Sequence, residues 1–236
     1  MQIHLAFDLS AWLCAWLASR AVARLGLLPM PSRSPFTDPG YFIALGLGAI
    51  VGAILFGSIN MRAAGFLQLG HSIAGAISGG IVAVEIFKWF RGIRGSTGAQ
   101  FVVPLAVGIA VGRWGCFFAG LPDYTYGTPT GVPWGVDFGD GVPRHPVQLY
   151  ESLSMLLFLT IYLSGLVRRS QFFLGQGFYL FVGYYALQRF IWEFLKPYPA
   201  IAGPLNLFQI LCITLFFYSV FMMSRNHDPR EAFAKL

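Results

Sequence analysis

Long apolar runs separated by short polar segments dominate the chain. Seven runs approach the roughly 20 residues that a helix needs to cross a bilayer: 3–19, 41–60, 71–90, 101–120, 148–167, 172–195 and 202–223. The runs predict helices, because a lone strand in lipid leaves its backbone unsatisfied and barrel strands would show about 10 residues of alternating polarity. The pattern therefore predicts an all-α, polytopic membrane protein with about seven transmembrane helices.

The composition supports this interpretation. Of the 236 residues 56% are hydrophobic and 11% are charged, and the mean hydropathy is +0.63, whereas about 25% of residues are charged in an ordinary soluble domain. A soluble chain of this length could not bury so much apolar surface. The cysteines Cys14, Cys116 and Cys212 form no CxxC pair, so neither a zinc site nor a disulfide framework is indicated.

Glycine is frequent in the second and third runs. Small residues at four-residue spacing let helices approach closely, so plain helix packing is the favoured interpretation of most of these glycines. They are Gly46, Gly48 and Gly52 in the second run, and Gly75, Gly79 and Gly80 in the third.

The basic residues predict an orientation. With the N-terminus outside, eleven of the sixteen Lys and Arg residues fall in inner segments and only Arg62, Arg144 and Lys196 in outer ones. By the positive-inside rule, this distribution predicts an N-terminus outside the cytoplasm and a C-terminus in the cytoplasm. No run of basic residues interleaved with aromatics indicates a nucleic-acid surface.

The longest loop, about 121–147, falls on the predicted outer face, the same side as the N-terminus. It is rich in Pro, Gly, Asp and aromatic residues, which are typical of turns and of the membrane interface, so a structured cap is expected. The tail 224–236 is short and polar, and is expected in the cytoplasm. No segment resembles a second soluble domain, so residues 1–236 are predicted to form a single integral membrane domain.

Several ionisable residues lie within or at the edge of the runs. Arg113 lies near the outer end of the fourth run; in the sixth, Arg189 lies four residues before Glu193 and one turn after Tyr185, so these three share a helix face. A charge inside a membrane costs at least a few kcal/mol and marks a candidate site. A guanidinium suits a phosphate or a carboxylate. An Arg189–Glu193 ion pair that only neutralises both residues is the structural alternative.

The segment 144-RHPVQLYE-151 leads into the fifth run. His145 can take or give a proton near neutral pH, and Gln148 and Glu151 lie three residues apart, on one helix face. A loop histidine is more often a surface residue, but the neighbouring arginines favour a site. The chain has no GxxxxGK, GxSxG or HExxH motif. These residues predict cleavage or transfer at a phospholipid headgroup in the outer half of the bundle.

The ordered pattern GRxGxFxxG…YG…PWGVxF…RHPxQLYE, followed by QRFIWEF, resembles the bacterial prolipoprotein diacylglyceryl transferase family over roughly 41–195. The matching positions are Gly112, Arg113, Gly115, Gly120, Tyr126, Gly127, Pro133, Trp134, Gly135, Arg144, His145, Pro146, Gln148, Leu149, Tyr150, Glu151, Arg189 and Glu193.

The resemblance implies a seven-helix enzyme of the bacterial inner membrane, with its site, the cap loop and the N-terminus on the periplasmic side. That family moves the diacylglyceryl group of phosphatidylglycerol onto the lipobox cysteine thiol of a prolipoprotein and releases glycerol 1-phosphate. The resemblance implies no metal or organic cofactor. Its partners would be phosphatidylglycerol, the lipobox peptide and the bilayer. Arg113, Arg144 and Arg189 would bind the phosphate, and His145 would be placed to accept the thiol proton. The further candidates for substrate binding are Tyr185, Glu151, Gln148, Gly127, Cys116, Glu193, Asp123 and His71.

The chain departs from the family pattern at three places. Cys116 stands where the family has asparagine. Ala119-Gly120-Leu121, with Asp123 only later, replaces Asn-Gly-Glu. In the third run the family's Ser-x-His-Gly-Gly becomes Ser72-Ile73-Ala74-Gly75-Ala76, so a histidine regarded as central to activity is Ala74. His71, one turn earlier, is a candidate replacement.

Two other functions remain open from the sequence. The missing histidine and asparagine suggest a protein that binds phospholipid without turnover. Intramembrane charges and glycine-rich runs suggest a small transporter or channel, although the chain shows no inverted repeat of broken hydrophobic segments.

Overall fold

The computed structural model describes residues 2–29 and 35–225, which contain seven α-helices. Each of the seven apolar runs contains one of these helices, which confirms the predicted all-α architecture. The tail predicted at 224–236 lies outside the described residues from position 226 onward. The helices are α1 (Gln2–Arg24), α2 (Pro39–Ala63), α3 (Ile73–Arg91), α4 (Val102–Ala119), α5 (Val147–Val167), α6 (Gln171–Glu193) and α7 (Leu207–Arg225).

Six of these helices are long and apolar enough to cross a membrane, namely α1, α2, α3, α4, α5 and α7. The remaining helix, α6, is less apolar because it carries Gln176, Gln188, Arg189 and Glu193. All four of these side chains are buried. The polar face of α6 therefore points into the protein. On other helices large apolar side chains, such as Leu47 on α2, stay exposed, as lipid contact requires.

The helix ends follow ordinary capping chemistry. Asp38 caps α2 by accepting a hydrogen bond from Gly40 N at 2.8 Å, and Pro39 occupies the first helical position. Ser72 caps α3 in the same way, and α3 ends at Gly92, whose φ of 66° lies in the left-handed region that favours glycine.

The described residues fall into two compact units. The first unit comprises Met1–Pro29 and Gly98–Pro197, and the second comprises Met30–Thr97 and Tyr198–Leu236. The first therefore holds α1, α4, α5 and α6, and the second holds α2, α3 and α7. That residues 1–236 form one domain stays a prediction.

In the first unit, α4 packs against both α1 and α5, and α5 packs against α6. Side-chain hydrogen bonds join α4 and α5: Ser152 Oγ donates to the Ala110 carbonyl at 2.7 Å and accepts from Trp114 Nε1 at 3.1 Å. Between α5 and α6, Gly177 leaves room for the Tyr162 ring. The core of this unit is thus formed mainly by the facing sides of α4, α5 and α6.

The second unit is built on close packing of α2 against α3. A Cβ added at Gly52 would collide with the Gly75 carbonyl, and one added at Gly48 or Gly79 would collide with the backbone of the other helix. Gly46, by contrast, has open space around it. The prediction that most of these glycines serve packing is therefore confirmed for the seam formed by Gly48, Gly52, Gly75 and Gly79.

The loop between α4 and α5 is structured. β1 (Val136–Asp137) pairs antiparallel with β2 (Pro143–Arg144), and Asp137 Oδ1 accepts three backbone N–H groups in the turn between them. The loop is also joined to the segment after α6, because Thr128 N donates to the Leu195 carbonyl at 2.7 Å and the Tyr124 hydroxyl donates to the Pro197 carbonyl at 3.1 Å.

The last helix begins later than its apolar run. The run starts at 202, whereas α7 starts at Leu207, because β3 (Ala200–Ala202) and β4 (Leu205–Asn206) form a tight hairpin. Gly203, with a φ of 56°, supplies the left-handed residue of its turn.

Candidate active site

A buried cluster of five charged side chains lies in the first unit where α4, α5 and α6 meet. Its centre is Glu151, whose Oε2 lies 2.8 Å from Arg113 Nε. Glu151 Oε1 lies 2.8 Å from both Arg189 Nη1 and Lys196 Nζ. Glu193 completes the cluster, with Oε1 2.6 Å from Arg189 Nε and 3.5 Å from Lys196 Nζ. None of the five is more than 4% exposed; we call them the Glu151 cluster.

The sequence brings these side chains together in a simple way. Arg189 and Glu193 are one turn apart on α6, and Lys196 follows Glu193 by three residues just after the helix ends. Glu151 lies one turn into α5, and Arg113 lies in the last two turns of α4. Three cations and two carboxylates give the cluster a net charge of +1.

The contact between Arg113 and Glu151 leaves part of the guanidinium available. It is a charge pair through Nε and lacks the geometry of a directed hydrogen bond. Among the described residues, the terminal nitrogens of Arg113 make one side-chain contact, 3.9 Å from Cys116 Sγ, which is weak. A planar guanidinium held by one edge retains donors for a second anion.

The structure brings together four of the predicted site residues and places a fifth elsewhere. Arg113, Glu151, Arg189 and Glu193 all belong to the Glu151 cluster. Arg144 lies on β2, where Nη1 donates to Asp140 Oδ1 at 2.6 Å and to the Val142 carbonyl at 3.0 Å. The hydrogen bond between Arg144 and Asp140 raises the pKa of Arg144 and lowers the pKa of Asp140. Convergence of a third arginine on the phosphate stays a prediction.

His145 is held from several sides at the start of α5. Its backbone N donates to the Thr128 carbonyl at 3.1 Å, and its Nδ1 lies 3.4 Å from the Tyr150 hydroxyl. That hydroxyl accepts a hydrogen bond from Trp134 Nε1 at 2.7 Å. Gly127 packs directly on His145, since a Cβ at Gly127 would collide with the His145 carbonyl. Gly127 therefore positions His145 through its lack of a side chain.

Three further candidates lie in the first unit near these groups. Tyr185 is fully buried on α6 and interacts electrostatically with Arg113. Cys116, one turn after Arg113, also forms a hydrogen bond with Asp123. Asp123 in turn accepts from Thr125 Oγ1 at 2.5 Å. The polar contacts of Arg113 thus extend through Cys116 into the start of the cap loop.

Gln148 and His71 have different surroundings. Gln148 is fully buried on α5, one turn before Glu151. Its Nε2 lies 3.5 Å from Thr125 Oγ1, and its Oε1 has no hydrogen-bond partner among the described residues. His71 belongs to the second unit, where it is exposed next to Ser72, the N-cap of α3. Ala74, which stands at the family histidine position, is completely buried.

Lys196 is the member of the cluster that the sequence analysis missed. The sequence predicts an ordinary lysine in an outer loop, whereas the structure buries its Nζ against Glu151 and Glu193. Its spacing of three residues from Glu193 was the available signal.

Within residues 2–29 and 35–225, no three His, Cys, Asp or Glu side chains group as metal ligands would.

Comparison with known proteins gives consistent matches. The family model described as prolipoprotein diacylglyceryl transferase matches residues 2–225. A protein of Geobacter sulfurreducens is 33% identical over 224 residues, which cover 88% of this chain and 83% of that protein. One of Nitratidesulfovibrio vulgaris is 31% identical over 241 residues, covering 94% and 87%, and one of Methylococcus capsulatus is 28% identical over 237 residues, covering 92% and 87%.

Each of these relatives is named phosphatidylglycerol–prolipoprotein diacylglyceryl transferase. No solved structure matches the chain. The family match spans almost all of the residues described above, including every member of the Glu151 cluster, and so the chain belongs to the prolipoprotein diacylglyceryl transferase family.

Proposed function

We propose that the protein transfers the diacylglyceryl group of phosphatidylglycerol to the lipobox cysteine thiol of a prolipoprotein and releases glycerol 1-phosphate. The names of its relatives support this reaction over lipid binding without turnover and over transport. The structural observation that carries the proposal is the meeting of Arg113 and Arg189 on Glu151 in a buried site with a net charge of +1.

The products define which bond breaks. Phosphate leaves with the released glycerol, so the bond between the diacylglyceryl carbon and the phosphate oxygen is cleaved as the sulfur–carbon bond forms. The electron pair of the broken bond stays on phosphate, and the thiol proton is lost before or during attack. Negative charge therefore builds on the leaving phosphate, and guanidinium groups fixed in a water-poor site stabilise it.

We assign separate roles to the members of the Glu151 cluster. Arg113 and Arg189 bind the phosphate; the terminal nitrogens of Arg113 have donors to offer it. Glu151 and Lys196 hold the arginines in place before substrate binds, since Glu151 contacts both arginines and Lys196 at 2.8 Å. The single negative charge of a phosphodiester would neutralise the cluster.

The reaction is tested with purified protein, phosphatidylglycerol labelled in its headgroup glycerol, and a lipobox peptide. We expect a thioether-linked diacylglyceryl peptide and an equal amount of labelled glycerol phosphate. A peptide with serine in place of the lipobox cysteine is the matched control. Arg189→Lys should abolish most turnover because an ammonium group cannot replace the planar, forked set of N–H donors of a guanidinium. Bound lipid without released headgroup would identify a lipid-binding protein, and solute flux in liposomes a transporter.

We also propose that the protein lies in the bacterial inner membrane with its N-terminus in the periplasm and its C-terminus in the cytoplasm. The distribution of basic residues supports this orientation. Single cysteines introduced at Gly131, in the cap loop, and at Arg94, between α3 and α4, test it in a background without the native cysteines. A membrane-impermeant thiol reagent should label the first and not the second in intact spheroplasts; the reverse would overturn the orientation.

A further inference from the structure

We propose that the connection between α2 and α3 is a membrane-interface anchor. This connection, residues 64–72, is called the α2–α3 tip. Its apolar side chains, Phe66, Leu67 and Leu69, contact lipid at the level of the phospholipid headgroups, so the partner is the phospholipid surface itself. The inference concerns the second unit alone and does not depend on the proposed reaction.

The α2–α3 tip exposes large apolar side chains. Leu67 is 98% exposed, Leu69 72% and Phe66 42%, and residues 64–72 contain no acidic, lysine or arginine residue. A turn that faces water is ordinarily rich in Gly, Pro, Asn, Asp and Ser, and an exposed apolar patch marks an interaction surface. The patch continues the exposed apolar side of α2, where Leu55 and Ile59 also lie on the surface.

The backbone on either side of these side chains is fixed to α2. Gly65, with a φ of 87°, lets the chain turn away from the helix end. At the other end Gly70 N donates to Ser58 Oγ at 3.3 Å, and Ser72 N donates to the Ala53 carbonyl at 3.1 Å. The tip therefore returns alongside the last turns of α2, and its apolar side chains are presented from a defined position.

The height of the α2–α3 pair places the tip near the membrane surface. Arg91, the last residue of α3, pairs with Asp38, the N-cap of α2, at 3.0 Å, so the end opposite the tip lies at one level. The 25 residues of α2 extend about 37 Å. The hydrocarbon core of a bilayer is about 30 Å thick, and about 40–45 Å with its headgroup layers. A pair that spans this core therefore has its tip in a headgroup layer.

The peptide groups of the tip give the same depth independently. Those of Leu67, Gln68 and Leu69 have no hydrogen-bond partner among the described residues. Unpaired peptide groups are excluded from hydrocarbon, because lipid tails offer them no partner. Bulk water would pair these groups but would leave the apolar side chains exposed to it. The headgroup layer hydrates the backbone and accepts the side chains on its inner side, so it satisfies both.

Arg62 adds a charge that suits a phospholipid. It lies in the last turn of α2, directly before the tip, and its exposed side chain forms no ion pair within the described part of the chain. A long basic side chain at a helix end reaches the headgroups, and a guanidinium binds phosphate through parallel N–H donors. An apolar tip beside an unpaired cation thus matches acyl chains below a layer of phosphates.

The depth of the tip is measured by spin labelling of the full chain in nanodiscs of phosphatidylglycerol and phosphatidylethanolamine. A cysteine replaces Leu67 in a background without the native cysteines and carries a nitroxide. Collision with oxygen, which concentrates in lipid, is compared with collision with a neutral nickel chelate, which stays in water. Nitroxide lipids labelled at the headgroup and at carbon 5 of the acyl chain calibrate the ratio. We expect the ratio at position 67 to fall between these two standards.

Gly131→Cys is the matched control, because Gly131 is an exposed position in another loop. Its label should favour the nickel chelate several-fold more than the label at position 67. Equal ratios at the two positions would overturn the proposal. So would a label at position 67 that neither reagent reaches, because a protein surface would then cover the tip.

A second measurement tests whether the apolar side chains hold the tip in place. A label at Gln68 leaves Leu67 and Leu69 intact and should also show the ratio of the headgroup layer. Changing both leucines to aspartate should shift this label toward the nickel chelate, whereas changing both to isoleucine should not. An unchanged ratio in the aspartate variant would overturn the anchor. Neither measurement involves turnover, so a failure to observe transfer would contradict the proposed reaction and leave this result standing.

Discussion

Replacing Glu151 by glutamine removes the carboxylate that three cations share. Arg113, Arg189 and Lys196 each lie 2.8 Å from a Glu151 oxygen, and Glu193 would be the one carboxylate left in the cluster. The net charge rises from +1 to +2 with no change in side-chain volume. Removing one partner of a buried ion pair costs about 3–5 kcal/mol, because the opposite charge stays buried without compensation.

The expected loss is large enough to measure. In a chain of this length about 1 kcal/mol shifts the midpoint of thermal unfolding by about 2–4 °C, so Glu151→Gln should lower Tm by on the order of 10 °C. The double variant Glu151→Gln with Lys196→Met restores a net charge of +1. It should recover part of the lost stability, since the repulsion among three buried cations is relieved.

Scanning fluorimetry in detergent gives Tm for the wild type, both single variants and the double variant. Initial rates of peptide modification, measured at a temperature where all four are folded, report on the site separately. A Tm for Glu151→Gln equal to that of the wild type would refute the reasoning. So would a double variant no more stable than Glu151→Gln, because the charge balance would then not control the stability of the cluster.

Three further outcomes follow from the geometry. Arg113→Lys should lower kcat/KM roughly 100-fold with little change in Tm, because an ammonium group lacks the planar fork; single-turnover kinetics would check this. Gly127→Ala should also impair transfer strongly, since a methyl group there collides with the loop backbone, whereas Gly131→Ala, which has open space, should not. In the second unit, Gly52→Ala should lower Tm by several degrees or prevent folding, and Gly46→Ala on the same helix should be tolerated.

The helices could be predicted because each is a long apolar run, and lipid leaves the backbone few alternatives. The start of α7 was predicted too early, because the run was placed by hydropathy. Residues 202–206 include Gly203-Pro204, a turn signal in the sequence, and they fold into the β3–β4 hairpin through the left-handed turn at Gly203. Hydropathy alone carries no information about that turn.

The site was predicted where charge stood out against an apolar background. Arg113, Glu151, Arg189 and Glu193 are isolated ionisable residues within helices, so their cost in a membrane singled them out. Lys196 stands just outside α6, where a lysine is ordinary, and only tertiary packing turns its ammonium group inward. The pairing of Arg144 with Asp140 depends on the turn between β1 and β2, which residue spacing does not specify.

The hydrogen bonds from Thr128 and Tyr124 to the carbonyls of Leu195 and Pro197 flank Lys196 on both sides. A polypeptide that pushes this loop aside must pull on the same short stretch of backbone, and therefore on the ammonium group that Glu151 holds. Displacement of the loop and disturbance of the Glu151 cluster are therefore coupled, and such a coupling acts with equal strength in both directions.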